Sequence, residues 1–161
     1  MRKFIPPTLL TMAAAVALTF SMATPASASD WGGYANPASG SCATNFLVKQ
    51  TDVGTWAGNS WQKLGTLQIK WSNGCPGNYA RFQAAGSLMP RYIGISIHGQ
   101  AAPYNKAGAN EEYTTVAYTK VIKLNQSSDR VCAYLDVGVA RPNSLPQSVP
   151  TTLVASQVLC A

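Results

Sequence analysis

The side chains able to do chemistry are few. His98 is the single imidazole in 161 residues, and histidine is the commonest general acid or base. Ser96 stands two positions before it, but on a strand that spacing makes the two neighbours by pleat. No nucleophile-elbow pattern surrounds the serine, so a Ser-His-Asp assembly is not expected. Paired carboxylates would suggest glycoside hydrolysis. The only adjacent acids, Glu111 and Glu112, sit in NKAGANEEY, which reads as a solvated loop. Asp136, next to Tyr134 in period two, is expected to form an ion pair or hydrogen bond, with Arg130 a candidate partner. No glycine-rich phosphate loop is present, and one imidazole is a thin basis for a metal site. The expectation is a protein that is not an enzyme and takes no cofactor.

Cys42, Cys75, Cys132 and Cys160 are spaced 33, 57 and 28 residues apart, without the short Cys-x2–4-Cys pairs of zinc sites. Their even number fits two disulfides in an exported protein. Three pairings are open. Cys42–Cys75 with Cys132–Cys160 is favoured because each closes a local loop, worth about 3 to 4 kcal/mol by loop entropy.

The address of the chain agrees with this cysteine usage. Met1-Arg2-Lys3 is basic, Thr8–Phe20 is an apolar run of 13 residues, and Ala26-Ser27-Ala28 is a small-residue cleavage site. These are the parts of a secretory signal peptide over 1–28; the run is shorter than the roughly 20 residues that span a bilayer. Removal of Arg2 and Lys3 takes the formal charge from +6 to +4. The remaining cations are scattered, so nucleic acid is not an expected partner, and neither is a membrane once the signal has gone. The expected location is extracellular, with cell- or spore-surface association open.

Residues 29–41 (SDWGGYANPASGS) read as a flexible leader, and 42–161 as one disulfide-stapled domain. Period-two alternation marks strands at 67–72, 93–98, 113–124 and 131–139, with weaker candidates at 45–50, 54–57, 78–84 and 153–159. The fold class is therefore all-β, a single antiparallel sandwich or small barrel of about 7–8 strands. In 131–139 the odd-numbered residues should face the core. Residues 141–160 are expected to lie over the opposite face, which carries Cys132, Tyr134 and Asp136. The turn in WSNGCPGNYARF (71–82) reads as a hairpin fastener between Cys75 and Cys42.

Aromatic side chains remain as material for recognition. Trp31 and Tyr34 lie in a leader with no core of its own, and Tyr104 lies in the loop 99–110; these three are the candidate partner-binding residues. Trp56 and Trp61 flank Ala57-Gly58-Asn59-Ser60 and are expected to be core or hairpin-packing residues.

The order Cys42, GTLQIKW (65–71), Cys75 with NYARF (78–82), EYTTVAYTKVIKL (112–124), then Cys132 resembles small secreted actinobacterial proteins of the spore-associated protein A kind. WSNGCPGNYARF is also similar to the W-S-x-x-C-x-x-N-W-A-R pattern of a related secreted family, with Tyr79 at its usual tryptophan. The resemblance implies a secreted β-domain without catalytic residues, acting at a cell or spore surface. In size, export and cysteine layout the chain more distantly resembles the adaptor subunit of umbrella-shaped toxin particles. That implies a module joining other secreted proteins, with the leader around Trp31 and Tyr34 inserting into a partner. The Cys-x27-Cys spacing of Cys132 and Cys160 resembles secreted amylase inhibitors, which makes hydrolase inhibition the alternative. Their Trp-Arg-Tyr triplet is absent, and Arg91-Tyr92 after Pro90 does not replace it. Whether carbohydrate is bound is left open.

Overall fold

A computed structural model describes residues 30–42, 44–86, 88, 90–124, 129–140 and 152–161; the segment 1–28, expected to be a signal peptide, and 141–151 lie outside them. Among the described residues nine strands form two antiparallel sheets. They are β1 (Trp31–Gly32), β2 (Asn45–Ala57), β3 (Ser60–Ser72), β4 (Gly77–Ala84), β5 (Pro90–Gly99), β6 (Lys106–Glu111), β7 (Val116–Tyr118), β8 (Val131–Ala140) and β9 (Thr152–Cys160). The five-stranded sheet runs β1-β6-β5-β8-β9 and the four-stranded sheet β2-β3-β4-β7. This is the all-β sandwich the alternation implied, with the favoured disulfides Cys42–Cys75 and Cys132–Cys160.

Side-chain alternation decides which faces meet. Leu67 and Ile69 of β3 and Ala80 and Phe82 of β4 project from one sheet. Ile93, Ile95 and Ile97 of β5 and Ala133, Leu135 and Val137 of β8 project from the other, and all are buried in one core. Each large aliphatic or aromatic side chain so placed contributes roughly 1.5–3 kcal/mol of transfer free energy.

Two strand expectations change. The stretch 113–124 is not one long strand. Tyr113 takes a positive φ of 50°, which turns the chain, so only Val116–Tyr118 pairs as β7, followed by single bridges at Val121 and Ile122. Conversely, the stretch read as a loop contains β6. Its KAGANE sequence has weak β propensity, but Ala107 and Ala109 are small enough to be buried beneath the sheet, and six cross-strand pairs hold it to β5.

The expected cover over β8 also differs. Residues 152–160 do not lie across its outer face; they extend the sheet as β9, with Cys132 directly opposite Cys160. Two cysteines in register on neighbouring strands can join across the strands on one face of the sheet, so the disulfide needs no second layer. Val131, Ala133, Leu135 and Val137 face the core as expected. Asp136 accepts a hydrogen bond from Ser156 of β9, not from Arg130.

The segment expected to be a flexible leader is, from Asp30 onward, bonded to the domain. Trp31 and Gly32 pair with Gly108 and Ala107, and Ala35 bridges Val121. The Tyr34 hydroxyl donates to the Pro76 carbonyl at 2.8 Å. A 3-10 turn over Gly40–Cys42 delivers Cys42 to its disulfide. Ser72, fully buried, closes the junction: its hydroxyl donates to the Cys42 carbonyl at 3.0 Å and accepts from the Cys75 amide at 3.1 Å. A Gly-rich composition permits this course because Gly33 must take φ of 65° against the side chain of Lys120.

Candidate recognition surfaces

The outer face of the five-stranded sheet carries a row of rings. The register places Trp31, Gly108, Ser96, Tyr134 and Val158 on one cross-strand line, and Lys106, His98, Cys132 and Cys160 on the next. Gly108 has no side chain, and the Trp31 indole lies over it; a Cβ there would run into the ring. The indole is thus seated on backbone and still 40% exposed. Gly94 serves Tyr92 in the same way: the phenol passes over it and donates to the Asn110 side-chain oxygen at 3.3 Å. His98 stands between Trp31 and Tyr134, with ring centroids at 6.4 and 4.9 Å respectively.

Beside this row a shallow cleft of about 350 Å³ is lined by His98, Gly99, Gln100, Tyr104, Lys106 and Tyr134. Lys106 is its only fully charged group, and its ammonium lies 5.9 Å from the Trp31 ring centre, within cation–π range. Tyr104 is 66% exposed and holds φ of 54°. That left-handed backbone is unfavourable for a bulky residue, and such outliers concentrate at functional sites.

Partial burial, and secondarily the charge of Lys106, hold the His98 imidazole below its ordinary pKa. The folded chain therefore binds this proton less readily than the unfolded chain. Stability owed to the neutral ring is complete above about pH 6.5, the unfolded value, and is lost as pH falls through the lowered folded value. His98→Gln is expected to flatten that part of a melting-temperature profile between pH 7 and 5; an unchanged slope would count against it. No carboxylate among the described residues hydrogen-bonds to this ring, and no group of three or more His, Cys, Asp or Glu that could hold a metal occurs among them.

The second surface belongs to the β2–β3 hairpin. Phe46, Leu47 and Val48 are successive, large and exposed, Phe46 by 51%, on an edge strand with a bulge between Leu47 and Lys49. Phe46 and Val48 border an apolar gap of about 260 Å³ between the sheets, with Trp71, Val131 and Ala161. At the hairpin tip Trp56 pairs directly with Trp61. The expectation that these two pack a hairpin holds for Trp61, whose indole covers Gly54. Core placement does not, because Trp56 projects from the outer face and is 69% exposed.

No family model, no curated protein and no solved structure matches this chain. The geometry alone must carry the functional reading.

Of the three aromatics picked out in the sequence, Trp31 stands edge-on to His98 and Tyr104 lines the cleft that His98 also lines. Tyr34 does not join them. It faces a pocket with Gly33, Asn105 and Lys123, its ring lies under the Lys123 ammonium at 4.9 Å, and burial raises its hydroxyl pKa. Its hydrogen bond to Pro76 makes it an anchor for the segment. Sequence reasoning passed over Tyr92, Tyr134 and Phe46–Val48. The alternation in 131–139 already put Tyr134 on the outer face, whereas Tyr92 becomes part of the row only through Gly94.

The glycine floor is testable. Gly108→Val is expected to eject the indole and shift the Trp31 indole N–H resonance, with little loss of stability because β1 is only two residues long. An unmoved resonance would mean that the ring does not rest on Gly108.

Proposed function

We propose that this protein is a secreted, non-catalytic recognition module that joins other extracellular components. The observation that carries the reading is the division of its exposed large apolar side chains into two groups on different sheets. One is the ring row on the outer face of the five-stranded sheet, and the other is the β2–β3 hairpin. A joining piece needs two separate contact surfaces, and large exposed apolar patches mark interaction sites. Two disulfides suit an oxidising, extracellular setting, and no helix among the described residues is long and apolar enough to cross a membrane.

The hairpin is the surface suited to another secreted protein. An edge strand bearing consecutive exposed apolar side chains offers side-chain anchors, and backbone groups where it is unpaired, to an added strand. The test is affinity purification of the tagged protein from culture supernatant, with Leu47→Asp and Trp56→Ala alongside the parent. Stable co-elution of a larger secreted protein, lost in Leu47→Asp, is expected. Elution of the parent alone as a monomer would overturn the reading. Point variants are preferable to deleting 29–41, because that deletion would also strip β1 from its sheet.

A further inference from the structure

The ring row, read above as a contact surface, has a chemistry that selects its occupant. We infer that it binds a carboxylate-bearing polysaccharide, with a sugar ring stacked on Trp31 and its carboxylate paired with Lys106. This rests on the reading of that face as a contact surface and replaces a second protein there with an acidic glycan.

Three observations support it. First, the Trp31 indole is backed by Gly108 and is 40% exposed. The electron-rich face of an aromatic ring attracts polarised C–H groups, and a pyranose presents several on one side of its ring. Second, polar groups suited to sugar hydroxyls are at hand: Gln100, Tyr104 and Tyr134 line the cleft with Lys106, and Ser96 shares the cross-strand line of Trp31 and Gly108. Third, charge is arranged for an anion at one end. Lys106 forms no salt bridge among the described residues, where the one ion pair is Lys63–Asp52, and no carboxylate lines the cleft beside it. The nearest carboxylates stand outside the cleft: Asp136 is one cross-strand line past Tyr134, and Asp30 precedes Trp31. Asp136 is bonded to Ser156, and Glu111 stands near Asp30, whose charge adds to burial in raising the Glu111 pKa. A neutral glycan would leave Lys106 unused. A single-stranded nucleic acid would require a run of cations along its backbone, and this face does not provide one.

Affinity electrophoresis of the purified protein through gels containing polygalacturonate, hydroxyethylcellulose or a thymidine oligonucleotide tests the inference. Retardation by polygalacturonate alone is expected, weakening as salt is added. Trp31→Ala and Lys106→Gln should each weaken it roughly tenfold, about the effect of losing one stacking or cation contact. Tyr104→Ala, at a fully surface position, should weaken it to a lesser degree, and an unchanged melting temperature certifies the fold of each variant. Absence of retardation, equal retardation by the neutral polymer or the oligonucleotide, or indifference to Trp31→Ala would each overturn the inference. The two readings fail separately. If polygalacturonate is ignored while Trp31→Ala still removes a co-purified component, only the glycan is wrong. If Trp31→Ala and Tyr104→Ala change neither, the ring row is not a contact surface.

Discussion

Replacing Phe82 by alanine is expected to destabilise the domain by about 3 to 5 kcal/mol, the range for deleting a buried aromatic ring. Phe82 is the largest of the fully buried side chains. It sits at the middle of the four-stranded sheet, paired with Leu67 on one side and Ala117 on the other. Its ring edge fills the space above Gly65, where any Cβ would collide with it. Gly65 and Ala117 have almost nothing to swing into the vacated volume, so on those sides the cavity should persist. Folded domains are stable by only about 5–15 kcal/mol, so this one change removes a large share of the total. Urea unfolding with an unchanged m-value would report it as a shift in midpoint. Phe82→Leu should recover more than half of the loss. A loss below about 1 kcal/mol for Phe82→Ala would mean that the sheets close over the gap.

Removing Cys132–Cys160, as Cys132→Ser with Cys160→Ser, is expected to have the second largest effect. The bridge spans 28 residues, for which loop entropy gives about 3 to 4 kcal/mol. Cys42–Cys75 spans 33, and the logarithmic dependence on length makes the entropic terms nearly equal. Their local consequences differ. β9 is an edge strand hydrogen-bonded only to β8, although the Lys49 ammonium also donates to the Cys160 carbonyl at 2.6 Å. Loss of the bridge should therefore release β9 amides to hydrogen exchange ahead of global unfolding. Loss of Cys42–Cys75 should instead loosen 33–42 and leave β9 protected. Equal exchange behaviour in the two variants would contradict this division.

The alternation of Ile93, Ile95 and Ile97, and of Val131, Ala133, Leu135 and Val137, was enough to read a sandwich, because one buried face repeats every second residue. Cysteine spacing was enough to favour the pairing that forms. β6 was illegible for a physical reason: it is a strand because neighbours on both sides need it, and its alanines and glycine record the closeness of its packing, not a preference for extension. The ring row was half legible. Trp31 and Tyr104 stand out as aromatics without a local core. That Trp31 and Tyr134 flank His98 depends on the β1–β6–β5–β8 order, which joins segments about a hundred residues apart in the chain and leaves no local mark.

The two residues of β1 have a consequence for proteolysis. They are the outermost partner of β6, covering its middle at Gly108 and Ala107, with Gly33 donating to the Lys106 carbonyl at 3.1 Å. An exoprotease that trimmed the chain past Tyr34 would remove the indole and its seat-mate strand together. It would also uncover a row of β6 amides and carbonyls able to template another chain. Loss of the N-terminal segment should thus promote edge-to-edge self-association, so trimming and aggregation should appear together as the purified protein is stored.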